Sequence, residues 1–332
     1  MPTNWTADAV LRITSGFQAP CVVFAAVELD LFSALAGGAM SAEDLAGRLG
    51  TDPRATVILA DALSGMELLV KDGGRYRAAD GVPDVLTSDG AESVLAMVRH
   101  QANCFGRWTQ LAGVIRTGEP AERAQTARGR RDGLAAFIGG MHNIHRAVAP
   151  ELIARLGPPR FRHLLDVGGA SGTWTIAFLA AGSDEATATI FDLPDVIPMA
   201  EERIAAAGLQ DRVNLVGGDF HTDDLPDGAD LAWLSAIIHQ NSRRQNRDLY
   251  AKVYAALARG GRVLIRDVVM EPCRTRPPRG ALFAVNMLCV TPGGGTYTFD
   301  EIRDDLLAAG FAEPKLLAES DWMDAVVEAT KP

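Results

Sequence analysis

Arg162-His163-Leu164-Leu165-Asp166-Val167-Gly168-Gly169-Ala170-Ser171-Gly172-Thr173-Trp174-Thr175-Ile176-Ala177-Phe178 is the stretch that decides the fold. Leu164, Leu165 and Val167 form a short apolar run stopped by glycines, the pattern of a strand buried on both faces of a parallel sheet. Trp174, Ala177, Phe178 and Ala181 then recur at helical spacing. The order strand, glycine turn, helix points backbone N–H groups and a helix N-terminus at a ligand. The dinucleotide fingerprint would need glycine at 168, 170 and 173, but Ala170 and Thr173 stand at two of those positions.

Working outward, the next apolar run ends in Phe191-Asp192-Leu193-Pro194, about twenty residues past the turn, where this class of fold binds a ribose diol. Gly218-Asp219-Phe220 follows the strand-like Val213 to Val216. A further apolar run closes in Leu234-Ser235-Ala236-Ile237-Ile238-His239. Taken together and in this order, these motifs resemble the S-adenosylmethionine-dependent small-molecule O-methyltransferases that carry an N-terminal winged-helix dimerisation domain. The resemblance implies a class I methyltransferase, with a Rossmann-like seven-stranded sheet preceded by a mainly helical domain. It implies S-adenosyl-L-methionine as cofactor and S-adenosyl-L-homocysteine as product. Carried over residue by residue, the cofactor would meet Asp166, Gly168, Gly169, Asp192, Leu193, Asp219, Phe220, Ser235 and His145. The family's catalytic base falls on His239.

This sequence departs from the family at several of these positions. Gln240 and Asn241 stand where an acidic residue and a tryptophan usually follow the histidine. The two glutamates that flank the base in plant members fall on Asp267 and Thr296, and Ser235 replaces a lysine. Phe137 and Met141, with Asn286 and Met287 opposite, match substrate-pocket positions. The expected reaction is methylation of a hydroxyl on a small aromatic or polyketide-like compound, with Asp267 beside His239. The alternative is a non-methylating reaction, such as decarboxylation, hydroxylation or cyclisation, on a similar substrate.

The residues support the chemistry directly. Methyl transfer from a sulfonium needs an acceptor held in line and removal of its proton. An unperturbed imidazole, with a pKa of about 6.5, is largely neutral at cytoplasmic pH and can take that proton. His239 also falls where a parallel strand ends, on the edge where open α/β sheets hold their ligands. The other reading of His239 is a helix-start residue that caps the next segment. His142 and His145, three apart on a helical pattern, could with His239 suggest a metal. No carboxylate or further ligand accompanies them, so no metal is expected.

With 332 residues and 48% hydrophobic content, the chain is long enough for two domains with separate cores. A net charge of -10 makes nucleic acid and anionic membranes poor partners. The basic cluster Arg123, Arg128, Arg130 and Arg131 reads as a solvated segment. Cys21, Cys104, Cys273 and Cys289 show no metal spacing and suit a reducing compartment. No leader pattern is evident, and no uninterrupted apolar run approaches the roughly 20 residues of a membrane span. A cytoplasmic protein is expected.

Three segments are expected: a winged-helix dimerisation domain over 1–90, helices contributing to the substrate pocket over 91–159, and the cofactor domain over 160–332. Phe17 to Leu35 reads as one helix, apolar on more than one face, and so implies a partner subunit. Ser41 and Thr51-Asp52-Pro53 open two more helices, and a hairpin joins Leu68–Val70 to Tyr76–Ala78. A DNA-binding regulator shares this pattern. However, residues 1–90 carry about twice as many acidic as basic side chains, which disfavours a phosphate backbone. Gly157-Pro158-Pro159 marks entry to the cofactor domain. Beyond it, strands are expected at 188–191, 213–216, 231–238 and 263–269, alternating with helices at 196–207 and 243–257. The last two strands, at 314–318 and 325–329, are too close for a parallel crossover, so one must run antiparallel.

Overall fold

The computed structural model describes residues 4–122, 129–157 and 160–332. The chain divides into two compact units, Met1–Asn103 with Thr126–Asn143, and Cys104–Gln125 with Ile144–Pro332.

The first unit opens with α1 (Ala7–Ser15), α2 (Gln18–Glu28) and α3 (Leu31–Ala34). The single helix expected from Phe17 to Leu35 is therefore two, because Asp30 adopts a left-handed conformation with φ 56° and stops α2. By length and average composition, though not as an uninterrupted apolar run, the 22 residues of Ala7–Glu28 could span a bilayer. Its few charged residues interrupt the apolar run without lowering the average enough. Next come β1 (Met40–Ser41), α4 (Ala42–Leu49), α5 (Pro53–Gly65), β2 (Leu69–Asp72), β3 (Arg75–Ala78), α6 (Val82–Leu86) and α7 (Leu95–Trp108). Ser41 caps α4 by accepting from Asp44 N–H, and Asp52 caps α5 with Pro53 in its first turn. The hairpin forms as expected, and β1 adds a third antiparallel strand to make the wing. Leu31, Phe32, Leu45, Leu63 and Tyr76 are the centre of this unit's core.

The chain continues through α8 (Leu111–Thr117) and α9 (Gly129–Leu156). Arg123 and Arg128 of the basic cluster and the prolines at 158 and 159 lie outside the described residues, while Arg130 and Arg131 fall in the first turn of α9.

The second unit then alternates β4 (His163–Val167), α10 (Thr173–Ala181), β5 (Thr187–Asp192), α11 (Ile197–Ala206), β6 (Val213–Gly217), β7 (Ala229–Ser235), α12 (Arg243–Ala256) and β8 (Leu257–Asp267). It ends with β9 (Val269–Met270), α13 (Pro278–Val290), β10 (Tyr297–Thr298), α14 (Phe299–Ala308), β11 (Ala312–Ala318) and β12 (Ala325–Thr330). Seven strands form one sheet in the order β11-β12-β8-β7-β4-β5-β6. The run from β8 to β6 is parallel, and β12 is antiparallel to both β8 and β11. Period-two alternation sends Leu165, Val167, Leu234 and Ile265 to one face, against α12 and α14. Leu164, Trp233 and Leu264 go to the other, against α10, α11 and the end of α9. Both faces are covered, which is why the strands read as continuous apolar runs.

Candidate active site

Every candidate cofactor residue on the sheet lies at the carboxyl ends of its parallel strands. Gly168 turns with φ +69°, and a Cβ there would fall 2.3 Å from Ile237 Cδ1, so only glycine fits. At Gly169 a Cβ would press within 2.9 Å of the Asp166 carboxyl. Asp192, at the end of β5, accepts from Ala170 N–H at 2.7 Å and from Leu193 N–H at 2.7 Å. Burial raises its pKa, and these two backbone donors oppose the rise. Asp192 thus ties the glycine turn to the next strand, and Leu193 beside it is exposed.

Asp166 is buried on β4 and accepts from Thr175 Oγ1 at 2.6 Å, in the first turn of α10. Desolvation pushes its pKa up to about 7. Past β6, Asp219 accepts from His221 N–H at 2.9 Å. The Phe220 ring lies 4.5 Å from that of His221, and its carbonyl accepts from Lys252 Nζ at 2.9 Å. Ser235, the last residue of β7, and His145 on α9 meet at a buried arginine that sequence reasoning did not single out. Arg266 Nη1 donates to Ser235 Oγ at 3.1 Å and lies 3.3 Å from His145 Nε2.

The strand carrying His239 is shorter than its apolar run. β7 ends at Ser235, and Ala236 turns with φ 58°, so His239 sits on a short 3-10 turn, Ile238–Gln240. It is buried, with 6% of its surface exposed. Its Nδ1 lies 2.9 Å from both carboxylate oxygens of Asp267, which is itself buried at the end of β8. Asp267 also accepts from Val268 N–H at 2.7 Å. With the carboxylate accepting from Nδ1–H, Nε2 is left as the lone-pair nitrogen. Asn241 does not occupy a tryptophan's place idly. Its amide donates to Asn246 Oδ1, and Asn246 donates to the Ile238 carbonyl, so this buried pair braces the turn. Tyr297 O–H donates to the Asn241 carbonyl.

On α13, Phe283 stacks edge-on against His239 with centroids 4.8 Å apart. Asn286 accepts from Trp108 Nε1 at 2.8 Å, and Met287 is buried. Phe137 and Met141 belong to the first unit, where Phe137 packs 5.0 Å from the His100 ring. Among the described residues no group of three or more His, Cys, Asp or Glu is placed to hold a metal.

A mainly parallel seven-stranded sheet with a reversed closing strand is the class I methyltransferase sheet, and its glycine turn and acidic strand end fit the cofactor of that class. The chain belongs to the O-methyltransferase family: residues 110–312 match the O-methyltransferase domain and residues 11–92 the O-methyltransferase dimerisation domain. It is similar to 3-hydroxy-5-methyl-1-naphthoate 3-O-methyltransferase of Streptomyces sahachiroi, 33% identical, with 94% of this chain and 91% of the relative covered. It is also similar to the tetracenomycin polyketide synthesis 8-O-methyl transferase of Streptomyces glaucescens, 32% identical over 94% of this chain and 93% of that one. In fold it resembles human N-acetylserotonin methyltransferase, solved in complex with S-adenosylmethionine, with a TM-score of 0.80 and 22% identity. That alignment covers 100% of this chain and 99% of the human one. The enzyme is an S-adenosylmethionine-dependent O-methyltransferase, and these relatives do not favour a non-methylating reaction.

Proposed function

We propose that the enzyme methylates a hydroxyl of a small aromatic or polyketide-like natural product, with His239 as general base and Asp267 as its partner. The observation that carries this reading is the buried His239–Asp267 pair, which presents Nε2 as a proton acceptor just beyond the strand edge that holds the cofactor residues. When bound, S-adenosylmethionine supplies an electrophilic methyl carbon on sulfur. Asp192 is assigned to the ribose diol, with the Gly168 turn, Leu193, Asp219 and Phe220 lining the rest of the cofactor. His239 takes the acceptor's proton, and Asp267 holds the resulting imidazolium.

Relatives named for a hydroxynaphthoate and for tetracenomycin support a fused-ring aromatic acceptor. Phe137, Met141, Asn286 and Met287 are assigned to its pocket. Residues 1–90 are assigned to dimerisation, 91–159 to pocket helices and 160–332 to the cofactor domain. A homodimer is supported by the matched dimerisation domain and by the exposed apolar residues Val10, Leu11, Ile13 and Phe17 on and just after α1. Neither nucleic acid nor membrane is assigned as a partner, and four free cysteines support a cytoplasmic enzyme.

The test is His239→Ala on an acceptor found by mass spectrometry among hydroxynaphthoates and related phenols. The expected outcome is a kcat lowered about 10²- to 10⁴-fold with cofactor affinity nearly unchanged. Near wild-type turnover at saturating cofactor would exclude an essential base at this position.

A further inference from the structure

Arg266 interrupts the apolar run of β8 and is 1% exposed, among the most deeply buried large side chains of the protein. A buried guanidinium is costly unless its donors are taken up. Here Nε and Nη2 donate to Asp324 Oδ1 at 2.9 and 2.5 Å, and Nη1 donates to Ser235 Oγ at 3.1 Å. The guanidinium carbon lies 4.7 Å from the centre of the Trp174 ring, and Trp174 begins the helix that follows the glycine turn. Trp174 Nε1 is buried and has no hydrogen-bond partner.

This cluster packs on the Trp233 face of the sheet, at the level where β4, β7 and β8 end together. A cofactor whose diol meets Asp192 at the end of β5, and whose methyl group faces His239 beyond β7, has one arm left to place. That arm is the amino acid, and the ends of β4 and β7 are the part of the strand edge that would be left for it. Ser235 is the last residue of β7 and is only partly buried. Its hydroxyl accepts from Arg266, so its own O–H remains free to donate outward.

We infer that Arg266 is a positioning residue for the cofactor's α-carboxylate: it polarises and orients Ser235 Oγ–H toward that carboxylate, and Asp324 holds the guanidinium in place. Trp174 Nε1 is a second donor in the same wall that the protein itself leaves without an acceptor. The inference rests on the cofactor placement proposed above. It extends that placement to a residue outside the glycine turn and the acidic strand ends, and to one functional group of the ligand.

The test compares two ligands on the full-length protein by calorimetric titration: S-adenosylhomocysteine, and 5′-methylthioadenosine, which has the same nucleoside and no amino-acid arm. Arg266→Met, which leaves the Ser235 hydroxyl in place but without its fixed partner, should weaken S-adenosylhomocysteine about 5- to 10-fold. Binding of 5′-methylthioadenosine should stay within about twofold, and Arg266→Lys should recover part of the loss. Ser235→Ala, which removes the proposed donor itself from a partly buried position, should show the same selective loss at about 10- to 100-fold, the range for a lost hydrogen bond to a charged group, and serves if Arg266→Met does not fold. Equal weakening of both ligands, or no change in either, would show a purely structural arginine and overturn the inference. Failure of the wild-type protein to bind either ligand would instead remove the cofactor placement at Asp192 and the Gly168 turn, and this inference with it.

Discussion

Replacing Asp267 with asparagine keeps the shape of the dyad and removes its charge. In the wild-type protein the carboxylate accepts a hydrogen bond from His239 Nδ1–H at 2.9 Å and another from Val268 N–H at 2.7 Å. An amide has one oxygen. With that oxygen at the Oδ1 position it can accept from both Val268 N–H and Nδ1–H, but the amide NH₂ then also sits 2.9 Å from Nδ1 and competes for it, which favours the Nε2–H tautomer that blocks the base. With the oxygen at the Oδ2 position, a buried backbone N–H is left facing an NH₂ group, at a cost of about 1 to 3 kcal/mol. In either arrangement the imidazolium formed during the reaction loses its counter-charge. At about 4 Å and an effective dielectric of about 20, that attraction is on the order of 4 kcal/mol. Asp267→Asn is therefore expected to lower the single-turnover rate about 10²- to 10⁴-fold with the cofactor saturating. A phenol that ionises unaided, with a pKa of about 10, needs no base, so the deficit should shrink as pH rises toward that value. A rate within a few-fold of wild type at neutral pH, in a folded variant, would refute the dyad.

Asp192→Ala should weaken S-adenosylmethionine by roughly 1.5 to 3 kcal/mol through lost charge-assisted hydrogen bonds, and unchanged affinity in calorimetry would take Asp192 out of the site. Asp166 has a folded-state pKa raised to about 7 by burial, so its contribution to ligand-free stability is complete below about pH 4 and is lost as pH rises through about 7. The loss should be on the order of a few kcal/mol, and Asp166→Asn should flatten that pH dependence in thermal melts; an unaltered profile would contradict it. Ile13→Glu on the exposed face of α1 should shift dimer to monomer in light scattering, and a stable wild-type monomer at micromolar concentration would remove the proposed interface.

Much of the cofactor edge was legible because its constraints are local. Gly168 shapes the turn of one strand–turn–helix unit, Asp192 closes the strand that follows it, and apolar runs with helical spacing between them define a parallel sheet. The closing antiparallel strand followed from connection length alone. What escaped depends on tertiary neighbours or on a single dihedral. Asp30 splits one apolar helix by a left-handed turn that the apolar pattern does not encode. Ala236 does the same to the strand before His239, moving that residue from a strand end onto a turn. Arg266 carried a visible signal, a charge inside the run Val263 to Val269, but its partners Asp324 and His145 are remote in sequence. Asn241 read as a loss of the usual tryptophan, and only the fold shows that it pairs with Asn246 and braces the turn.

The most direct measurement of the central claim follows the methyl carbon itself. Turnover of an accepted aromatic substrate with S-adenosylmethionine enriched in ¹³C at the methyl group should yield a product whose label resonates as a methoxy carbon in the NMR spectrum. Label on nitrogen or ring carbon, or a product formed without label, would contradict methyl transfer to a hydroxyl.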